Sequence, residues 1–496
     1  MSFQFDPETR RKLGYQLIDS LNDYFSSLPD RNVQLPLQER TFGALSDKMP
    51  ELGENAEQVL QEVTREMIDK GFHVPSGNYF GLMNPAPTYM SVLAEALVAA
   101  LNPQLATLAR SQLASKIEAE SVRWIAERVG WKKVGAREPA AAGVKTCDGT
   151  FTSGGNEANF SALALALAAY FPESVEDGIA SIGAQPVIYA SSESHHSLDK
   201  SAGLLGLGRK ALRRIPVDER AMMDVDRLER TLLEDRAAGK EPFCIVATAG
   251  TTNSGAVDDI VALAAIAKEH DLWLHVDGAY GAGAIFSDKH RDLVRGIEEA
   301  DSITVDPHKW LSMPFAAGVV LTSHPEMLER AFAVTTPYMP RVDNPNLIDN
   351  FKVSAQWSRR MNSLKLWLTL RVHGRQVYEE LIDRQMMLAG EMARWFEHSE
   401  DFELVMQPQL TILNFRLKLD APEAEIAAAH KALIDEVTRD GKLWISHTLV
   451  NGRSVCRMMI ISYFTEERNL QLLKDALTSA AEKIRHSAVS NQHSVK

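Results

Sequence analysis

Cysteine is scarce. The chain has only Cys147, Cys244 and Cys456 among 496 residues, with no CxxC pair and no even framework. That pattern excludes a disulfide scaffold and suits a reducing compartment. Basic charge is also in short supply: 53 Lys and Arg against 66 Asp and Glu leave a net charge of −13. Nucleic acid and anionic membranes therefore find no electrostatic footprint, and any anionic ligand must be gripped by local donors. Long apolar runs are missing as well; stretches such as 162–171 are too short to span a bilayer. Residues 1–7 lack the basic and apolar regions of a signal peptide. A cytoplasmic location is expected, with neither nucleic acid nor membrane as a partner.

What is present is ordinary for a globular chain: 45% hydrophobic and 24% charged residues. Asp6-Pro7-Glu8 reads as an N-cap, a proline in the first turn and an acidic start. Leu13, Leu17, Leu21, Tyr24 and Phe25 then give a helical apolar stripe, and residues 54–70 predict a second amphipathic helix. Such a segment has little core of its own. It packs either on the body of the protein or on a second subunit. From about 91 to 367 helical and strand patterns alternate, which predicts a mostly parallel sheet covered by helices. The clearest strands are 186–190, 243–248, 272–276, 302–305 and 316–321. Beyond a long helix, 413–419 alternates cleanly, and Asn451-Gly452 joins strands 443–450 and 454–461 as a hairpin. The expected units are an N-terminal helical segment (1–90), a large α/β domain (91–367) and a small C-terminal α+β domain (368–496).

The chemistry gathers at predicted strand ends, where α/β sheets bind ligands. Ser302-Ile-Thr-Val-Asp-Pro-His-Lys-Trp310 is a buried strand stopped by Asp306-Pro307, leaving His308 and Lys309 at its edge. A lysine there is a candidate Schiff-base amine; the bland reading is a snorkelling surface lysine. Thr152-Ser-Gly-Gly-Asn-Glu-Ala-Asn159 precedes a strong helix, so Gly155 and Asn156 either cradle an anion or simply start the helix. It matches neither a P-loop nor a dinucleotide fingerprint. Ser194-His195-His196-Ser197 offers a ring to stack on a flat ligand, or only solvated histidines. Adjacent histidines point apart, so no metal site is expected. Ala247-Thr248 ends a strand in small and hydroxyl residues. In Leu272-Trp-Leu-His-Val-Asp-Gly-Ala-Tyr280, Asp277 is a carboxylate at a buried strand end, beside Ala279. It either meets a cation or caps the next helix. Together these supply an anion cradle, a stacking ring, a carboxylate and an amine, which match pyridoxal phosphate.

On these motifs, above all HVDGAYG and DPHKW, the chain resembles the pyridoxal-phosphate-dependent amino-acid decarboxylases of the aromatic-amino-acid and glutamate type. The resemblance implies the fold-type I, aspartate-aminotransferase-like architecture and a homodimer with its active site at the subunit interface. It implies that Lys309 forms the Schiff base, Asp277 pairs with the pyridine nitrogen, and His195 stacks on the ring with Ala279 on the other face. Gly155, Asn156 and His308 would hold the phosphate, and Thr248 would contact the cofactor. Tyr338, in the proline-rich loop 335–346, would return a proton after carbon dioxide leaves. Relatives with phenylalanine there resemble aldehyde synthases, so tyrosine favours simple decarboxylation.

Arg457 sits among apolar neighbours in a predicted strand and should face an anion. The family pattern implies the substrate carboxylate; a structural ion pair is the alternative. Tyr79, Phe80, Met83 and Pro85 lie in a proline- and glycine-rich loop suited to a pocket wall. No basic cluster offers to grip a side-chain carboxylate, so an aromatic L-amino acid is the expected substrate. Against this, Ser111-Gln112 stands where aromatic-specific relatives usually have serine and proline, which leaves glutamate or a diamino acid open. The remaining alternatives are an aldehyde synthase or carbon–carbon lyase using the same cofactor, and a non-catalytic relative.

Overall fold

The structure is a computed structural model describing residues 3–36, 43–45, 48–133, 146–335 and 349–493. The large sheet contains β1 (Lys132–Lys133), β2 (Thr146–Thr152), β3 (Pro186–Ser191), β4 (Leu212–Ile215), β5 (Glu241–Thr248), β6 (Trp273–Asp277), β7 (Ser302–Val305) and β8 (Gly318–Thr322). Their spatial order is β1-β2-β8-β7-β6-β5-β3-β4. All neighbours run parallel except β8, which is antiparallel to both β2 and β7. The five strands expected in this domain are all present, with ends displaced by at most two residues and 302–305 unchanged.

Side-chain alternation sorts these strands into two cores. Ile245, Ala247, Leu274, Val276, Ile303 and Val305 face one apolar cluster. Their neighbours Cys244, Val246 and Trp273 face another, shared with Leu163, Ala166 and Leu167 of the helix Gly155–Tyr170. Both faces being covered explains why the strands read as near-continuous apolar runs.

The C-terminal lobe is an antiparallel sheet of β9 (Phe402–Leu404), β10 (Ile412–Leu417), β11 (Ser446–Val450) and β12 (Arg453–Met459), ordered β11-β12-β10-β9. Asn451 (φ 50°) and Gly452 (φ 72°) both take positive φ, as a two-residue type I′ hairpin turn requires. The helix Ser363–His398 joins the lobes and breaks at Gly374, whose φ of 75° and ψ of 173° are not helical. Before the break Leu364 and Trp367 pack with Ala94 and Ile117; after it Leu388, Met392 and Phe396 enter the core of the small lobe.

At the N-terminus Asp6 caps the helix Pro7–Ser27, accepting from the amides of Glu8 (2.9 Å) and Thr9 (3.0 Å). Neither this helix nor Ala56–Lys70 has a single buried residue, and Tyr15 and Met67 are largely exposed. Among the described residues no helix is long and apolar enough to cross a membrane.

Candidate active site

Sheet register brings the predicted chemistry to one edge. Thr248, Asp277 and Thr304 are direct neighbours across β5, β6 and β7, and the chain leaves β7 straight into Asp306, His308 and Lys309. The first turn of the helix Gly155–Tyr170 and His195, four residues past β3, complete a cavity of about 340 Å³. Gly155, Asn156, His195, Thr248, Asp277, Ala279, His308 and Lys309 all line it.

The side of the sheet facing that helix carries a polar stripe: His275 and Asp277 on β6, Ser302 and Thr304 on β7, and Asp306 just beyond. Alternate residues of a strand share a face, so these groups and Asn159 of the helix meet. A continuous hydrogen-bond network links them. The Trp273 indole donates to Ser302 Oγ (2.8 Å), and His275 Nδ1 lies 2.9 Å from Ser302 Oγ and 3.1 Å from the Ser302 carbonyl. His275 Nε2 lies 3.1 Å from Asn159 Oδ1, and Asn159 Nδ2 donates to Asp277 Oδ2 (2.8 Å). Thr304 Oγ1 donates to Asn159 Oδ1 (2.7 Å), and the Ala279 amide donates to Asp277 Oδ1 (3.2 Å). Both carboxylate oxygens of Asp277 are thereby fixed as acceptors in a buried site.

Substituting Asn159 by leucine would leave several buried partners unsatisfied at once. The expected cost is on the order of 3 kcal/mol, read as a lower urea midpoint. An unchanged midpoint would show that the chain of bonds has no structural weight.

Histidine burial gives a second test. His73, His275 and His430 are each pushed down to about 4, chiefly by burial, with Arg31 adding to the effect at His73 and Arg416 at His430. An unfolded histidine titrates near 6.5, so between these values the unfolded chain binds more protons and stability rises with pH. Asp258, raised to about 6 by burial, works against this over part of the window. The histidines outnumber it. Acidification from about pH 7 to about pH 4.5 should therefore lower the urea midpoint. A flat midpoint across that range would contradict the assignment.

Lys309 Nζ lies 3.2 Å from Asp306 Oδ2, and His308 Nε2 lies 3.5 Å from the same oxygen. The Ala317 amide donates to His308 Nδ1 (3.1 Å), which leaves the proton on Nε2, facing the cavity. Phe315 packs on the His308 ring at 4.6 Å between centroids. Its loop is pinned by buried Lys365, which donates to the carbonyls of Pro314 (3.2 Å) and Ala316 (2.7 Å) and pairs with Glu95 (2.8 Å). The Ser197 amide donates to His195 Nδ1 (3.1 Å).

The substrate-side expectations fare differently. Phe80 is fully buried in the core of the small lobe, where a backbone bond ties it to Met459, and it is not among the cavity-lining residues. Tyr79 stacks on Trp444 (5.4 Å, 18°) and its hydroxyl accepts from the Leu82 amide. Neither it nor Pro85 is among the cavity-lining residues, whereas Met83 is. Arg457 meets no carboxylate among the described residues; it donates to Ser446 Oγ (3.1 Å) and to the carbonyls of Thr252 and Gly81 (3.0 Å). Tyr338 lies outside the described residues. Asn159, His275 and Asp306 were not singled out from the sequence, although the alternation in WLHVD and SITVD places them on the site's face.

The family model for the pyridoxal-dependent decarboxylase conserved domain matches residues 36–418. The chain belongs to the pyridoxal-dependent decarboxylase family. The decarboxylase is 30% identical over 490 residues to an aromatic-L-amino-acid decarboxylase of Bacillus atrophaeus, covering 97% of this chain and 98% of that one. It is 29% identical to an L-2,4-diaminobutyrate decarboxylase of Acinetobacter baumannii, covering 91% and 89%. Its fold matches Catharanthus roseus tryptophan decarboxylase solved in complex with L-tryptophan, with a TM-score of 0.87, 25% identity, and 97% and 100% coverage. The protein is thus a pyridoxal-phosphate-dependent amino-acid decarboxylase of fold type I. The cavity suits that cofactor. Thr248 Oγ1 is a buried hydroxyl with no hydrogen-bond partner among the described residues, and a Cβ on Gly155 would stand 2.6 Å from Asp306 Oδ2, so glycine keeps the cradle open.

Proposed function

We propose that the decarboxylase acts on an aromatic L-amino acid, releasing the corresponding amine and carbon dioxide. One observation carries this reading. Among the described residues Lys309 is the only lysine or arginine lining the cavity, while Met83, Tyr280 and Phe315 give it apolar surface. With Lys309 committed to the cofactor and Arg457, which lies outside that lining, committed to the α-carboxylate, a side-chain carboxylate would be desolvated there without a cation of its own.

When bound, pyridoxal phosphate supplies an aldehyde that captures amines and a protonated ring that accepts the electron pair left as carbon dioxide departs. Lys309 supplies the anchoring amine and yields its place to the substrate's. Asp277, held by Asn159 and Ala279, keeps a proton on the ring nitrogen. His195 stacks on one ring face, Ala279 covers the other, and Thr248 contacts the cofactor. The first turn at Gly155 and Asn156, with the Nε2 proton of His308, holds the phosphate. Arg457 has used three of its five N–H donors, and the remaining two are assigned to the substrate carboxylate. Tyr338 is assigned the returning proton. The two N-terminal helices, with no buried residue, are assigned to a second copy, so light scattering should give twice the chain mass.

Substrate choice is tested by incubating the holoenzyme with aromatic L-amino acids, glutamate and 2,4-diaminobutyrate and measuring carbon dioxide and amine. The expected result is a kcat/KM for the best aromatic substrate at least ~100-fold above the others. Faster turnover of glutamate or diaminobutyrate would overturn the assignment. Aldehyde and peroxide in place of amine would mark an aldehyde synthase.

A further inference from the structure

His308 is aimed from outside its own segment. The Ala317 amide donates to its Nδ1 (3.1 Å), its own amide donates to the Ala317 carbonyl (3.3 Å), and the Phe315 ring packs on it at 4.6 Å. These contacts come from the stretch leading into β8. Pro314, Phe315 and Ala316 in that stretch are partly or largely exposed, so burial holds them only loosely. Lys365 reaches them from the first turn of the helix Ser363–His398. It is fully buried, and an ammonium has three N–H donors. All three are used, on the Pro314 carbonyl (3.2 Å), the Ala316 carbonyl (2.7 Å) and Glu95 Oε1 (2.8 Å). Glu95, in the helix Tyr89–Leu101, is held in turn by Arg360, whose Nε donates to its other oxygen (3.1 Å). Burying an ammonium is costly, and an apolar side chain of the same length would fill the space more cheaply. Such a side chain could not hold the two carbonyls that bracket Phe315.

We propose that Lys365 is a positioning residue for the cofactor's phosphate, acting through His308. Its ammonium fixes the carbonyls on either side of Phe315, which sets the Phe315 ring and the Ala317 amide against the imidazole. The amide takes up the Nδ1 lone pair, and the ring proton is left on Nε2, facing the cavity. Burial, with the charge of Lys365 among the smaller causes, holds His308 below its ordinary range and favours the neutral ring that this contact needs. The inference rests on the placement of the phosphate at His308.

The test measures dissociation constants of apoenzyme for pyridoxal phosphate and for pyridoxal, which has the aldehyde and ring but no phosphate. Lys365→Met keeps the length of the side chain and removes its three donors. It is expected to cut the preference for pyridoxal phosphate over pyridoxal by at least ~10-fold, the weight of one hydrogen bond to a charged oxygen. His308→Gln should cut the same preference. In the double variant Lys365→Met should add less than about twofold, because both substitutions remove one interaction. Equal loss of affinity for the two ligands, or full additivity in the double variant, would make Lys365 a structural ion pair and overturn the proposal while the phosphate placement stands. If His308→Gln leaves the preference untouched, the placement itself is wrong and the inference falls with it. Lys365→Gln, too short to span both carbonyls, covers the case in which Lys365→Met does not fold, and the same outcomes decide it.

Discussion

Lys309→Ala is expected to lose about four orders of magnitude in carbon dioxide release, with no cofactor trapped on the protein by borohydride. The structure gives this amine a particular setting. It is half-enclosed at the end of β7, held by a turn in which the Lys309 amide donates to the Asp306 carbonyl (2.9 Å). Trp310, the next residue, is fully buried and anchored by its indole to Gln385 (2.7 Å). The amine is therefore presented by a rigid element, and alanine removes it without disturbing the support. The unfolding midpoint of the variant should stay close to that of the parent, which separates lost chemistry from lost fold. Mapping the reduced adduct in the parent to any other lysine would end the assignment.

Asp277→Asn should cost about three orders of magnitude in kcat and weaken cofactor binding, although the side chains are nearly the same size. Both oxygens of Asp277 accept hydrogen bonds, from Asn159 Nδ2 and from the Ala279 amide. An asparagine has one acceptor and one donor group in those positions, so it can satisfy only one of the two. It also brings no negative charge to hold a proton on the pyridine nitrogen. The pH dependence of the bound cofactor's absorbance is the decisive readout, since a purely structural defect would lower occupancy without moving the titration. Unaltered kcat and an unaltered profile would remove Asp277 from its assigned role.

Much of this site could be read before any coordinates. DPHKW announced a strand stopped by proline with a lysine beyond it, and HVDGAYG announced a carboxylate at a buried strand end. Those motifs are local, so spacing alone places them at a sheet edge. What escaped was what depends on which element packs against which. Asn159 is an ordinary polar residue inside a helix until that helix lies over β6 and β7, and His275 reads as a lone histidine in an apolar strand. Asp306 was read only as a strand stop, since nothing in the sequence says that its carboxylate folds back under Gly155. The place of Phe80 depends on packing in the same way: its loop reads as a pocket wall, while the backbone tie to Met459 sets the ring in the core of the small lobe.

The break at Gly374 has a consequence of its own. A Cβ at this position would meet nothing within 4 Å, yet φ is +75° and ψ 173°, a conformation that L-residues rarely adopt. Here chirality is excluded and bulk is not. An L-alanine would find room for its methyl group but would strain its backbone by about 1–3 kcal/mol, so glycine lets the connecting rod keep its bend at no such cost.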